Sequence, residues 1–185
     1  MLHLIRHGTT TTSGKTFAGR SDVPLNDEGR QMARNIMRQL AQDPIDRIVS
    51  SPSSRAVDTA RPLADRIGLE IEQDPRLFEI DFGDYEGLAK AKLGLKLRKS
   101  HAFEPIPGGE ALIDVWTRAG DFLRTLQPNE GHIAVVGHFW LNRMIFGHMS
   151  HMNFDNACRS RSYRPETGSV VALTMAFGGN ALTRP

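Results

Sequence analysis

The chain has 185 residues, of which 39% are hydrophobic and 24% are charged. This length suits one domain with a sizeable core, and the proportion of hydrophobic to charged residues excludes a disordered or fibrous protein. No apolar run reaches the length of a membrane span and no leader-like segment is recognisable, so we expect a cytoplasmic protein. The single cysteine excludes an internal disulfide, and a formal charge of +2 does not by itself indicate nucleic-acid binding.

Apolar runs alternate with helical patterns along the chain. This alternation is typical of a single three-layer α/β domain with a mainly parallel central sheet flanked by helices. The predicted strands cover residues 2–6, 47–50, 69–71, 132–136 and 169–175. Asn26 is expected to cap a helix that ends near residue 41, and Gly68 to end a helix that starts at 51–52. Further helices are predicted over 88–101, 110–126 and 139–149, and we expect one domain over 1–185 with about 84–108 as a small lid or insertion.

Charged and imidazole side chains follow three of the predicted strands. Arg6 and His7 end the first strand, Arg55 lies one turn into the helix after the second, and His138 follows the strand 132–136. Ligands of open α/β sheets bind outside the carboxyl ends of the strands. Two imidazoles and two guanidiniums are therefore expected to meet there.

This set of residues suits the transfer of a phosphoryl group. The equatorial oxygens of such a group need fixed cations, and the planar fork of arginine holds two oxygens at once. A neutral imidazole beside these cations is a competent nucleophile, which favours His7 as the residue that becomes phosphorylated. Glu79, between Phe78 and Ile80, is a candidate acid for the leaving alkoxide.

The sequence resembles the histidine phosphatase superfamily, whose members include phosphoglycerate mutases, broad-specificity phosphatases and α-ribazole phosphatases. The resemblance implies that His7 is the phosphorylated residue, that Arg6, Arg55 and His138 bind phosphate, and that Glu79 is the general acid. It implies no metal and no cofactor. The motifs that carry it, in the family's order, are 4–8 (LIRHG), 22–25 (DVPL), 29–33, 50–56 (SSPSSRA), 79–87, 107–110 (PGGE) and 135–138 (VVGH).

Two positions depart from the family's pattern. Family members often place an asparagine that contacts phosphate some residues after Arg-His-Gly, where this chain has a threonine-rich run. Ser13 or Thr16 is the candidate replacement. Phe139 stands where a glycine usually follows the second histidine, so we expect a narrower pocket.

Several charged residues near these motifs have alternative interpretations. Asp81, Asp84 and Glu86 are rivals of Glu79 as the acid, or are solvated turn residues. A basic stretch between residues 90 and 99 is either a solvated helix face or a flap that attracts the non-reacting end of an anionic substrate. It consists of Lys90, Lys92, Lys96, Arg98 and Lys99.

Two further patterns are weaker. His148 and His151 have the spacing of metal ligands, but no carboxylate partner accompanies them. Cys158 and Arg164 have the Cys-x5-Arg spacing of cysteine-dependent phosphatases, but no strand precedes them and no glycine lies between them. We interpret that spacing as a coincidence and expect the arginines of this stretch to ring the site or face solvent.

The predicted function is metal-independent hydrolysis of a small phosphorylated metabolite. A mutase uses the same site, but mutases of this type carry an insertion after the Glu79 segment, where only residues 87–108 separate Glu86 from Gly109. A binding module without activity is the other alternative. We expect no nucleic-acid and no membrane partner, whereas the substrate's identity and the oligomeric state stay open.

Overall fold

The central sheet of the protein has five strands in the described part of the chain. A computed structural model describes residues 1–93, 97–127 and 130–175. The strands are β1 (Leu2–Arg6), β2 (Ile45–Ser50), β3 (Ile71–Gln73), β4 (His132–Gly137) and β5 (Val170–Leu173). They are arranged in the order β3-β2-β4-β1-β5, and only β5 is antiparallel to its neighbour. The predicted mainly parallel α/β sheet is confirmed.

Helices cover both faces of this sheet. They are α1 (Asp27–Leu40), α2 (Ser54–Ile67), α3 (Lys90–Leu93), α4 (Leu97–Ser100), α5 (Leu112–Arg124), α6 (Phe139–Met149) and α7 (Phe154–Arg159), with 3-10 turns at Pro75–Leu77 and Gly83–Tyr85. Side chains of β1 alternate between the two layers, since Leu4 belongs to one apolar cluster and Ile5 to the other. The first cluster includes residues of α5 and α6, and the second includes residues of α1 and α2.

Helix caps explain where the elements begin and end. Asn26 caps α1 as predicted, because its side chain accepts a hydrogen bond from Gly29 N at 2.7 Å. The third strand was predicted over 69–71 but runs from Ile71 to Gln73. Gly68 adopts a φ of 74°, and the amides of Gly68 and Leu69 both donate to the carbonyl of Ala64. Leu69 therefore still belongs to the end of α2.

Two further predicted segments differ from the structure. Of the helix predicted over 88–101, the structure describes α3 and α4, and residues 94–96 lie outside the described part. Leu88 donates its amide to Tyr85 O and Ala89 pairs with Thr16, so the helix begins only at Lys90. The segment after α6, for which no helix is predicted, contains α7, which Asn153 caps by accepting a hydrogen bond from Asn156 N at 2.9 Å.

The carboxyl ends of β1, β2 and β4 are tied together beyond the strands themselves. His7 donates its amide to Gly137 O at 3.1 Å, and Ser51 donates its amide to Val136 O at 2.9 Å. The residues that follow these strands are therefore fixed relative to one another by main-chain hydrogen bonds.

No helix in the described ranges is long and apolar enough to cross a lipid bilayer.

Candidate active site

A cavity of about 1120 Å³ lies at the carboxyl ends of the parallel strands. All seven residues predicted for the site line it: Arg6, His7, Ser13, Thr16, Arg55, Glu79 and His138. The sheet brings them together from positions up to 132 residues apart, as the strand-end argument predicts.

His7 is buried and its geometry fixes the position of its proton. Its Nδ1 atom lies 2.7 Å from the carbonyl oxygen of Gly8. Because a carbonyl oxygen only accepts, Nδ1 carries the hydrogen and Nε2 keeps the lone pair. Burial, together with the charges of Arg55 and Arg6, lowers the pKa of His7 to about 3. The imidazole is therefore neutral at physiological pH and offers Nε2 as a nucleophile.

Arg55 and His138 form one hydrogen-bonded unit. Arg55 donates from Nη2 to Nδ1 of His138 at 3.3 Å, so the Nε2 hydrogen of His138 points to Ser51 Oγ at 2.8 Å. Two further donors of Arg55 bind the carbonyls of Ser21 at 2.8 Å and Gly19 at 2.6 Å. Burial and the Arg55 charge hold the pKa of His138 well below its usual range. The rings of His7 and His138 are 5.1 Å apart between centroids.

Arg6 and Phe139 form another wall of the cavity. Arg6 donates to Pro165 O at 2.8 Å, and its guanidinium lies 5.3 Å from the centre of the Phe139 ring. Arg143 approaches the same ring at 5.8 Å. Phe139, which the sequence suggested only as an obstruction, therefore also makes cation–π contacts with two guanidiniums.

Glu79 is held against the beginning of α6. Its Oε1 accepts hydrogen bonds from Ile80 N at 3.0 Å, Trp140 N at 3.1 Å and Leu141 N at 3.4 Å. These amides orient the carboxylate toward the cavity next to His138, which precedes α6. A helix amino terminus is a favourable place for such a group.

The three rival carboxylates do not line this cavity. Asp81 accepts from Gly83 N at 2.9 Å and lies 3.6 Å from Arg20. Glu86 accepts from Arg20 N at 2.6 Å and from Ser21 N at 2.9 Å, so it fixes the loop whose carbonyls hold Arg55. Asp84 lies in the 3-10 turn Gly83–Tyr85.

Ser13 and Thr16 belong to a loop that closes one side of the cavity. Ser13 Oγ accepts the amide of Thr10 at 2.8 Å, which occupies part of its hydrogen-bonding capacity within the loop. Thr16 pairs with Ala89 across an isolated bridge that joins this loop to the segment before α3. Both side chains line the cavity beside the phosphate-binding candidates.

Basic residues from two distant segments surround the mouth of the cavity. Lys90 and Lys99 line it from the basic stretch, while Lys96 and the side chains of Lys92 and Arg98 lie outside the described part. From the other side it is lined by Arg159, Arg161 and Arg164. Burial and nearby Arg6 lower the pKa of Lys90. Arg159 pairs with Asp155 at 2.7 Å, whereas the described residues include no ion-pair partner for Arg161 or Arg164.

The Cys158/Arg164 spacing and the His148/His151 spacing do not form a catalytic loop or a metal site among the described residues. Cys158 lies in the last turn of α7 and not after a strand, although it reaches the cavity wall. His148 stacks on Trp116 at 3.6 Å and donates from Nε2 to the Trp116 carbonyl at 2.9 Å. Within the described ranges, no three His, Cys, Asp or Glu side chains are placed to hold a metal ion.

Two residues next to the site were not predicted from the sequence. Ser51 was part of a quoted motif without a role, yet its hydroxyl contacts His138. Arg143, on α6, lines the cavity and donates to the carbonyls of Ala157, Ser160 and Tyr163. An arginine among the apolar residues of 139–149 is the sequence signal that marks it.

Comparisons with known proteins show which family and which proteins the chain is similar to. A model of the histidine phosphatase superfamily (branch 1) matches residues 2–185. The glucosyl-3-phosphoglycerate phosphatase of Mycobacterium tuberculosis is 34% identical over 70% of the chain and 61% of its own length. Phosphoserine phosphatase 1 of Hydrogenobacter thermophilus is 28% identical over 73% of the chain and 68% of its own. The α-ribazole phosphatase structure from Shigella flexneri has the same fold, with a TM-score of 0.82 at 23% identity over 91% of this chain and 87% of that one.

Proposed function

We propose, since the chain belongs to the histidine phosphatase superfamily (branch 1), that it hydrolyses phosphomonoesters through a phosphohistidine on His7. The observation that carries this proposal is the hydrogen bond from His7 Nδ1 to Gly8 O at 2.7 Å, which leaves Nε2 unprotonated beside two guanidiniums. The match to the family model confirms the resemblance noted in the sequence at the level of the family, and the residue roles that follow are proposals.

In the first step, His7 Nε2 attacks phosphorus and the bond to the ester oxygen breaks. Arg6 and Arg55 stabilise the charge on the equatorial oxygens, because fixed cations in a buried pocket need no reorganisation. The leaving alkoxide takes a proton from Glu79 and departs as an alcohol. His138 accepts from Arg55 at Nδ1 and donates from Nε2 to Ser51 Oγ, so it takes part in the phosphate pocket by orienting the Arg55 guanidinium.

In the second step, the Glu79 carboxylate takes a proton from water. The water oxygen attacks phosphorus, the P–N bond breaks, and neutral His7 and inorganic phosphate result. A mutase differs only in returning the phosphoryl group to an organic acceptor. Release of free phosphate without an isomerised product is the outcome expected here.

Trapping the phosphoenzyme tests this mechanism. Enzyme mixed with labelled substrate and quenched in alkali should retain the label, and acid should release it. His7→Ala should abolish the label and lower kcat by about a thousandfold or more. Cys158→Ser should retain both, since the thiol lies in α7 and takes no part. A phosphoenzyme that survives His7→Ala contradicts the proposal, and a lack of turnover on every phosphomonoester would favour a binding module instead.

The cations around the mouth support a finer proposal about the substrate, namely that it carries a second anionic group beside the phosphate. Among the described residues that line the cavity, Glu79 is the one carboxylate, and it is engaged with α6. Lys90, Lys99, Arg161 and Arg164 therefore add positive charge that the reacting phosphate does not require. Two of the relatives are named for phosphoserine and glucosyl-3-phosphoglycerate, and both compounds also carry a carboxylate.

A substrate comparison tests the second anion. Arg161→Gln with Arg164→Gln should raise KM about fivefold to tenfold for phosphomonoesters that carry a carboxylate, and leave KM for p-nitrophenyl phosphate within about twofold. Arg38→Gln is the matched control, because Arg38 lies at the far end of α1 and contacts Asn35. Equal changes in KM for both substrates contradict the proposal.

A cytoplasmic location stays a prediction, which subcellular fractionation tests.

A further inference from the structure

Arg118 connects α5 to the segment that carries Glu79. Its side chain is only 13% exposed, and its Nη1 donates to the carbonyls of Arg76 at 2.7 Å and Phe78 at 2.5 Å. Its Nη2 donates to the carbonyl of Glu79 itself at 3.0 Å. One guanidinium thus binds three carbonyl groups within four consecutive residues, in a stretch that has no helix or strand to fix its backbone after the turn Pro75–Leu77.

Glu110 completes this arrangement. Its carboxylate accepts from Arg118 Nε and Nη2, each at 3.1 Å, and Oε2 also accepts from Asp81 N at 3.0 Å. The amide of Glu110 donates to Asp81 O at 3.0 Å. The backbone on both sides of Glu79 is therefore held, by Arg118 before it and by Glu110 after it.

We infer that Arg118, together with Glu110, is a positioning residue for the proton donor Glu79. The two do not line the cavity, so they act through the backbone of residue 79 and not on the substrate. Proton transfer requires the carboxyl group within hydrogen-bond reach of the ester oxygen, and small displacements of such a group reduce rates strongly. This inference rests on the proposed role of Glu79 as general acid.

A proton donor is needed only when the leaving group is a poor one. An alkoxide must be protonated as it departs, whereas p-nitrophenolate leaves without help. Misplacing Glu79 should therefore reduce the rate for alkyl phosphates and spare p-nitrophenyl phosphate. A disturbed phosphate pocket should reduce both equally, since both substrates present the same phosphoryl group. The ratio of the two rates distinguishes positioning of the acid from general damage.

The experiment measures kcat/KM for β-glycerophosphate and for p-nitrophenyl phosphate. This constant reports the steps through departure of the leaving group, so later hydrolysis of the phosphoenzyme does not affect it. Glu79→Gln should lower the value for β-glycerophosphate by about a hundredfold or more and the value for p-nitrophenyl phosphate far less. Arg118→Lys should give the same selectivity with a loss of about tenfold, because lysine keeps the charge but cannot bind three carbonyls and Glu110 together.

Retaining the charge matters because Arg118 also contributes to lowering the pKa of His138. Arg118→Lys leaves that electrostatic effect in place. A lower kcat/KM for β-glycerophosphate in this variant therefore results from the changed position of Glu79. Glu110→Gln is a second variant that weakens the same arrangement should Arg118→Lys fold poorly. Arg124→Lys is the control on the same helix, where Arg124 pairs with Asp121 at the surface, and it should change neither rate.

The outcomes separate the inference from the mechanism beneath it. If Glu79→Gln is selective but Arg118→Lys and Glu110→Gln lower both rates equally or lower neither, Arg118 does not position the acid and the mechanism stands. If Glu79→Gln lowers both rates equally, Glu79 is not the proton donor and both proposals fail. Selective loss in Glu79→Gln and in either Arg118→Lys or Glu110→Gln supports the inference.

Discussion

Arg55 donates from Nη2 to Nδ1 of His138 at 3.3 Å, and this contact joins residues 83 positions apart. It brings the first turn of α2 and the residue after β4 to the same point beside His7. The contact also settles the tautomer of His138, whose Nε2 then donates to Ser51. The phosphate pocket is therefore a connected unit in which each polar group determines what its neighbour offers.

Ser51→Ala should weaken phosphate binding without removing the nucleophile. The variant leaves His138 Nε2 with only its longer contact to Ser53 Oγ at 3.5 Å. The loss of one buried hydrogen bond corresponds to a rise of about fivefold to tenfold in the inhibition constant of inorganic phosphate. Competitive inhibition assays measure it. Ser54→Ala is the control, because Ser54 contacts Asp22 at the surface and not His138. An unchanged inhibition constant in Ser51→Ala would show that the contact is unimportant.

Glu86→Gln should make the position of the Arg55 guanidinium less fixed. The Glu86 carboxylate accepts the amides of Arg20 and Ser21, and Arg55 binds the carbonyls of Gly19 and Ser21 in the same loop. We expect KM to rise about tenfold, and equally for alkyl and aryl phosphates, because the phosphate pocket and not the proton donor is disturbed. A loss confined to alkyl phosphates would instead assign Glu86 to acid catalysis. Measurement of kcat and KM for an alkyl and an aryl phosphate distinguishes these two roles of Glu86.

The residues that end strands were predictable from the sequence. His7 and His138 follow clear apolar runs, and the rule that parallel strands end at one edge places them together. Asn26 was predictable for a local reason, because a capping residue lies next to the helix that it caps. Lys90 was interpreted only as part of a basic stretch, although it lines the cavity near Arg6.

Residues that act through long-range contacts were not predictable. Arg118 binds the carbonyl of Glu79 across 39 positions, and no spacing rule connects them. Its one local signal is a charged residue beside the buried stripe of α5, between Val115 and Phe122. The predicted start of β3 was wrong for a different reason, because the αL conformation of Gly68 extends the end of α2 through Leu69.

The stability of the protein should fall as the pH falls below about 6.5, where histidines of an unfolded chain take up protons. Folded His7 resists protonation, because its pKa is lowered to about 3, and the pKa of His138 is also held well below its usual range. Between these values the unfolded chain binds more protons than the folded one, so acid favours unfolding. His7 should remove about 1 kcal/mol of unfolding free energy per pH unit, from about pH 6 to about pH 4, and His138 acts in the same direction.

Urea unfolding at a series of pH values measures this slope. His7→Gln should reduce the slope of unfolding free energy against pH by the contribution of one histidine, because glutamine does not titrate. The same slope in His7→Gln as in the natural chain would mean that His7 is protonated as readily in the folded protein as in the unfolded one.

Gly29→Ala should damage both stability and activity, because the loop after His7 crosses α1 at backbone contact. A Cβ on Gly29 would lie 2.0 Å from Thr9 O, and one on Gly8 would lie 2.5 Å from Gly29 O. Neither obstacle is a flexible side chain, so the backbone next to His7 must move. We expect a loss of about 2 kcal/mol or more in unfolding free energy and at least about a tenfold loss in kcat.

Gly14→Ala provides the matched control for that substitution. Gly14 has a φ of 78° and nothing within 4 Å of an added Cβ, so alanine there costs only the backbone strain of about 1 kcal/mol. Its effect on kcat should be small. Thermal or urea unfolding with kcat on p-nitrophenyl phosphate compares the two variants. Should Gly29→Ala lower stability no more than Gly14→Ala and keep full activity, the close packing of α1 would not be what fixes the position of His7.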